Sequence, residues 1–494
     1  MVPSRGAEAM ANSWWIVQSA QESLYSPQLP GMPEWGGAPC LCPALSHQEA
    51  AELHLCSRRS CRGGAAGCSQ WSGSAGVDGG GGQAVCACPQ GQAPPQMRMS
   101  YLSALHSLLE ARFHRLSKPV RTNLAVLTMA FLRVLSTSRS GNGRLSLALL
   151  ARALATVGTP HAREKRLHRF LKNPRLDYLT VASSLGDILL ADREGLCPVI
   201  VDQTKSGSAQ ALVAAVPYAG RALPLACYTF AYPLAELMPT SQNQLEHIFL
   251  LEVEESLPPR VTPVWIADRG YARSALLEES ASEGRLYIIR GRTGTIITYQ
   301  SRRMKLRQLK STPCRAIRYN DVLYHAKRQV RVDVIVYHEP HYKEPWYLLV
   351  PATACAVMTT EVVVRLYRER MQIEQSFRDF KTHLGMRGLK LQIDVAARMG
   401  RLLLAFCLAY VLCVLIGESP LGQQARVAFE IPRRTPRHGT TRTLSALMIA
   451  MVMLSHPDWV QQSLLLLHKL IRDAATGRSW LTHVQNHSPP LNTK

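Results

Sequence analysis

The stretch CPVIVDQT, residues 197–204, is a short, unbroken apolar run that closes on an aspartate, Asp202. A run of that length, rich in β-branched residues and lacking a helical period, reads as a strand buried on both faces, as in α/β sheets. The pattern recurs in TPVWIADRGYARSALLEES, residues 262–280, where an apolar strand ends in Asp268, Arg269-Gly270 turns the chain and a helix follows. Open α/β sheets place their ligand crevices at the carboxyl ends of strands, which is where both acids fall. Taken singly, each aspartate is equally explained as a turn or cap residue.

The flanking segments fit the same sheet. QALVAAVPY (210–218) and RALPLACYTFAY (221–232) read as two further strands, SQNQLEHIFLLEVEESL (241–257) as a helix capped by Ser241, and RLYIIRG (285–291) as a fifth strand. Strand, strand, strand, helix, strand, helix, strand describes a mixed α/β sheet. Between Arg290 and Met358, TGTIITYQ, RAIRYNDVLYHAK, VRVDVIVYHE and PWYLLVPAT run in strand fashion, an all-β insertion spanning 291–357. Helical pattern precedes the sheet, over 99–180, and follows it, over 358–400 and 401–494, broken by the basic loop EIPRRTPRHGTTRT.

Residues 367–381, YRERMQIEQSFRDFK, carry the third acid. At about 100° per residue, Tyr367, Arg370, Glu374 and Lys381 share one narrow stripe, and Leu366, Ile373, Phe377, Phe380 and Leu384 make an apolar stripe beside it. Thr359 or Thr360 suits the start of such a helix and Gly385 its end, so one uninterrupted element is expected. Asp202, Asp268 and Glu374 together, if they converge, need cations to remain ionised; two Mg²⁺ ions bridged by such acids are a standard device for phosphoryl transfer. Arg370 and Lys381 would then meet phosphates beside the metals, and Tyr367 would add a hydroxyl contact.

The charge agrees with a polyanionic partner. Net charge is +22, and because residues 1–98 sum to −1 the excess lies in the remainder. In HAREKRLHRFLKNPRLDY (161–178), Arg166, Arg169 and Lys172 stand on a basic helix within what reads as a small helical DNA-binding domain; a solvated basic face on a packing helix is the plainer account. Residues 1–98, rich in Gly and Pro, read as an unfolded extension. Seven of the thirteen cysteines lie there, in spacings that fit no standard zinc pattern, and the other six read as buried free thiols of a reducing compartment. The most apolar run, Leu402–Ile416, is short of the about 20 residues a bilayer span needs, so a buried helix is expected.

The Tyr-x2-Arg-x3-Glu-x6-Lys spacing of residues 367, 370, 374 and 381 resembles the signature of bacterial insertion-sequence transposases of the insertion-sequence-four family, within the DDE, RNase H-like superfamily. IVDQT and WIADRG resemble its two aspartate-bearing strands, and EPWYLL its insertion domain, over about residues 100–475 in all. The resemblance implies an RNase H-like sheet and a metal-binding catalytic triad of Asp202, Asp268 and Glu374 holding two Mg²⁺ or Mn²⁺ ions. It also implies DNA backbone contacts from Tyr367, Arg370 and Lys381, and Trp346 stacking on an extruded base. The implied partners are double-stranded DNA, as transposon ends and target, and a second copy of the chain on that DNA, with no membrane and no small-molecule substrate. The implied setting is the bacterial cytoplasm, on the nucleoid when bound. A host nuclease of the same fold and a domesticated DNA-binding copy that has lost catalysis are the remaining readings; terminal inverted repeats beside the gene separate the first of these from a mobile element.

Overall fold

The computed structural model describes residues 95–137, 145–154, 156, 158–206, 209–232, 241–340, 342–382, 395–437 and 440–481. Most of the segment 1–98, with its cysteine pairs, lies outside them, as do Leu384 and Gly385. Residues 89–494 form one compact unit.

Its centre is the expected mixed α/β arrangement, built on a ten-stranded sheet. In chain order the strands are β1 (Gly195–Ser206), β2 (Ala209–Tyr218), β3 (Arg221–Ala231), β4 (Val261–Ala267), β5 (Leu286–Arg290), β6 (Ile296–Tyr299), β7 (Arg302–Lys305), β8 (Ile317–Tyr324), β9 (Val330–Tyr337) and β10 (Trp346–Pro351). Their spatial order is β3-β2-β1-β4-β5-β10-β9-β8-β6-β7. β1, β4 and β5 run parallel to one another while β2 and β3 return antiparallel. The three parallel strands are buried on both faces, which is why their sequences are continuous apolar runs and not alternating ones. The strands from 296 to 351 extend the same sheet: β10 joins β5 through Leu348↔Arg290 and Leu349↔Ile289, so one hydrogen-bonded surface runs from β3 to β7.

The helices before the sheet are α1 (Pro95–Arg112), α2 (Lys118–Thr137), α3 (Leu147–Ala153), α4 (Pro160–Lys172) and α5 (Tyr178–Leu189). Within or after it come α6 (Gln242–Ser256), α7 (Ser274–Ser282), α8 (Thr360–Arg368), α9 (Met371–Thr382), α10 (Ala396–Glu418), α11 (Pro420–Phe429), α12 (Ala446–Ser455) and α13 (Pro457–Ala475). α10 is apolar around its whole circumference, and every residue from Leu402 to Gly417 is buried. It is long and apolar enough to cross a membrane, but here α2, α12 and β3 enclose it, as expected of Leu402–Ile416. At Gly417 a Cβ would stand 1.9 Å from the Ala446 carbonyl oxygen, so only glycine lets α10 meet the start of α12. α1 packs on α13, so the helices at either end of the unit share one core.

The thiol expectation needs correction. Cys197, Cys227, Cys407 and Cys413 are buried, but Cys314 and Cys355 are exposed. Those two sit in STPCRA and ATACAV, connecting segments where no apolar run draws them inward.

Candidate active site

Register brings the two aspartates together. β1 and β4 pair in parallel from Gly195↔Val261 to Ile200↔Ile266, and two residues further on Asp202 and Asp268 come level. Both acids therefore share the face of Ile200 and Ile266, on strands about 4.8 Å apart. Asp268 is extended (φ −81°, ψ 176°) and begins the turn at Arg269–Tyr271. Asp202, expected at the end of its strand, lies inside it: β1 continues to Ser206 because its antiparallel pairing with β2 outlasts its pairing with β4. Beyond Ile200 the β4 side of β1 is thus unpaired, which is where Asp202 stands.

Their environments push the two carboxyls apart. Burial drives Asp202 upward, to about 7, with Asp268 and Glu374 adding to the rise and Arg370 and the Gln203 backbone N–H opposing it. Burial acts on Asp268 in the same direction but is outweighed by Arg370, the Arg269 backbone N–H, Arg290 and Arg269, which hold it below the usual carboxylate range. Among the described residues, Asp268 Oδ1 is buried and accepts no hydrogen bond. Two neighbouring acids of unlike proton affinity, one with a buried oxygen that accepts no hydrogen bond among the described residues, mark a candidate site.

The third acid arrives on a broken helix. The single element expected from Thr359 onward is two, α8 capped by Thr359 and α9 starting at Met371. Between them Glu369 bonds Leu366, Arg370 bonds Tyr367, Gln372 bonds Glu369 and Ile373 bonds Arg370, each spanning three residues instead of four. One tightened turn of this kind is invisible to a 3.6-residue period, and such turns in mid-helix recur at functional sites. Here the turn carries Arg370 inward, to 5% exposure. Its Nη2 donates to Glu374 Oε1, and its Nη1 lies 3.9 Å from Asp202 Oδ2. Burial works against its charge, but Tyr367, Asp268, Glu374 and Asp202 hold the guanidinium protonated far above its ordinary range.

Polar contacts that read as a surface face in the sequence fix α9 in place. Gln372 Oε1 accepts from the Tyr218 N–H, and Ser376 Oγ accepts from the Ala222 N–H while donating to the Ala222 carbonyl. Asp379 pairs with Arg221 at 2.6 Å and accepts from the Tyr410 hydroxyl. With Ile373, Phe377 and Phe380 buried beside them, these groups clamp α9 onto the β2–β3 hairpin, so Glu374 is placed by the sheet as well as by its helix. Lys381, in the last turn of α9, is half-buried.

A fourth acid, which the sequence reading missed, ties the two aspartate segments to each other. Glu246, on α6, is 2% exposed; it pairs with Arg273 just beyond the Asp268 turn and accepts from Gln203, the neighbour of Asp202, at 3.0 Å. Gln242 donates to it as well, which leaves its carboxylate fully used. Nothing in the amphipathic spacing of 241–257 marks this position.

Trp346 and Tyr367 meet, with ring centroids 5.1 Å apart and edge to face. Trp346 is 4% exposed, enclosed also by Tyr337 and Tyr342, because it begins an interior strand paired on both sides; stacking on a base would require it to leave that box. The Tyr367 hydroxyl is buried without a hydrogen-bond partner, and burial pushes it up to about 12. On α4, Arg169 and Lys172 are exposed, whereas Arg166 is half-buried and donates to Asn123 at 2.7 Å, bracing α2. Arg169 and Lys172 also lie in the last turn of α4, where cations suit a helix carboxyl end.

A divalent cation fits the donor chemistry, since Asp202, Asp268 and Glu374 offer only hard carboxylate oxygens and one of them is orphaned. Among the described residues no three such groups close around one point, because the Arg370 guanidinium stands among them and supplies the positive charge itself.

The raised Asp202 carboxyl has a measurable consequence. Between about pH 4 and 7 the metal-free folded state keeps a proton that the unfolded chain has lost, so stability falls as pH rises through that window and levels off above it. Urea unfolding of wild type and Asp202→Asn across that range should show a slope difference of about 1 kcal/mol per pH unit, the wild type losing stability faster. Parallel profiles would remove Asp202 as the titrating group.

Residues 230–412 match the family model described as Transposase DDE domain. Among solved structures, the chain is similar to a cryo-EM structure of a piggyBac transposase synaptic complex with hairpin DNA, at 10% identity and a TM-score of 0.30, over 79% of this chain and 83% of that one. No curated protein matches it.

Proposed function

We propose that this chain is a DNA transposase that excises and inserts a mobile element by phosphodiester hydrolysis and strand transfer, with Asp202, Asp268 and Glu374 as its catalytic carboxylates. The observation that carries this reading is the levelling of Asp202 with Asp268 on adjacent parallel strands, with Glu374 held to the same cluster through Arg370. The match of 230–412 to a transposase domain, which includes Asp268 and Glu374, supports it.

Two Mg²⁺ or Mn²⁺ ions held by these acids would activate a water or a 3′-hydroxyl and stabilise the leaving oxygen. The chain's own residues do the rest. Arg370 moves from the carboxylates to a phosphate oxygen, where its planar fork suits bidentate contact, and Tyr367 and Lys381 steady the backbone on either side. Glu246 keeps the two aspartate strands in step through Gln203 and Arg273. Trp346, once released from its tyrosines, stacks on an extruded base. Arg169 and Lys172 of α4 hold DNA remote from the cut. A second copy completes the assembly on paired ends, in the cytoplasm of a bacterial cell, as the insertion-sequence-four signature implies.

Plasmid DNA carrying the gene with its natural flanks tests this. Purified protein with Mg²⁺ or Mn²⁺ should break the DNA at inverted repeats bordering the gene and nowhere else, and chelation should stop it. Breaks scattered without regard to those borders would favour a host nuclease, and tight binding without any cleavage would favour a decayed DNA-binding copy.

A further inference from the structure

From Gly291 to Asn320 the chain holds Arg292, Arg302, Arg303, Lys305, Arg307, Lys310, Arg315 and Arg318, and no acid. A solvated surface of a globular protein normally mixes its signs. Two of these bases are spent internally: Arg318 pairs with Asp333 at 2.7 Å, and Arg292 donates to the carbonyls of Arg269 and Gly270. The other six are exposed, and among the described residues none of them forms an ion pair.

The fold arranges them as a strip. β7, with the sequence RRMK, is the last strand of the sheet and has β6 on one side only. Tyr299 pairs with Arg302 across a two-residue turn, in which Gln300 (φ 48°) and Ser301 (φ 63°) both adopt left-handed backbone. That conformation, unfavourable for residues with a Cβ, gives the tight hairpin that carries the paired arginines at its tip. Arg307 and Lys310 continue past β7, and Tyr319, whose hydroxyl donates to the Lys310 carbonyl, stacks edge-on with the half-buried Tyr299. Through Arg292 the strip begins at the Asp268 turn itself.

A lone lysine or arginine on an edge strand is the ordinary guard against sheet-to-sheet aggregation. Six exposed bases without an ion pair among the described residues, on the sheet's last strand and the segment that follows it, exceed that need. We infer that the β6–β7 hairpin and the Arg307–Arg315 segment form a duplex-DNA backbone track, which carries the helix leading away from the scissile phosphate. The contact inferred is with phosphate, because every charged side chain of the strip is a cation. The inference rests on the proposed action on DNA but is separable from it.

The test is anisotropy titration of a random-sequence duplex by the full chain over a range of KCl, comparing wild type with R302Q/R303Q/K305Q/R307Q. The slope of log affinity against log salt should fall by about 3, and affinity at low salt by at least about tenfold, while R302K/R303K/R307K keeps the wild-type slope. Unchanged affinity and slope in the glutamine variant, with its circular dichroism intact, would overturn the track even if the wild type cleaves DNA. A reduced slope in a protein that never cleaves would uphold the track and remove the transposase reading. Loss of binding to phosphatidylserine vesicles with duplex binding untouched would assign the strip to a membrane and overturn the inference.

Discussion

Asp268→Ala should lower metal-dependent strand cleavage by on the order of 10³-fold or more while leaving duplex binding within about twofold. Its carboxylate has a buried oxygen that accepts no hydrogen bond among the described residues, and four cationic or N–H groups hold it below the usual carboxylate range. A site built to keep one oxygen charged and unshared loses its function with that oxygen. Asp268→Ala also leaves Arg370 with one carboxylate fewer, so its unfolding midpoint, read beside cleavage at a temperature where the variant is folded, separates lost chemistry from lost folding. Asp202→Ala and Glu374→Ala should follow the same pattern. Wild-type cleavage by a well-folded Asp268→Ala protein would end the catalytic assignment.

Arg370→Gln should cost the metal-free protein about 3 kcal/mol, among the largest effects available from one charged-to-neutral change at this site. The guanidinium is 5% exposed and faces Asp202, Glu374 and Asp268, so its removal leaves carboxylates that repel one another across a half-dry crevice. Glutamine fills much of the same space, which isolates the charge. Millimolar Mg²⁺ should then raise the thermal midpoint of the variant by several degrees more than that of the wild type, because the ion replaces a charge that the wild type already carries. Equal responses to Mg²⁺ would mean that Arg370 and the cation do not compete for the same electrostatic role. A variant as stable as wild type without metal would mean that Arg370 is not the counter-charge at all.

What could be read in advance depended on the length scale of each signal. Val199–Val201 and Val264–Ala267 announced buried strands because such strands need apolar residues on both faces, and their aspartates stood out against that background. The register that makes Asp202 level with Asp268 is a pairing between distant segments, which no local pattern encodes. The helical stripe of Tyr367, Arg370, Glu374 and Lys381 is divided between two helices, a break hidden in the sequence because the turn at Glu369–Arg370 that buries the arginine left the apolar spacing undisturbed. Ser376 and Asp379 drew no attention because their partners, Ala222, Arg221 and Tyr410, come from elsewhere in the chain. Glu246 escaped notice for the same reason. Trp346 was picked by its neighbours in sequence, and its enclosure by tyrosines depends on a sheet order that the sequence does not state.

The enclosure of α10 imposes a timetable on synthesis. Residues 118–137 of α2 pack early on α1 and α3 but meet α10 only when residues 396–418 have left the ribosome, a delay on the order of 15–50 s at ordinary elongation rates. Throughout that interval the nascent chain presents sticky, unfinished surface, and the β-sheet it has already extruded waits for its lid. Chaperone demand for this protein is therefore set by the position of one late helix, and truncations before residue 396 should be cleared by proteolysis, not accumulate as shortened products.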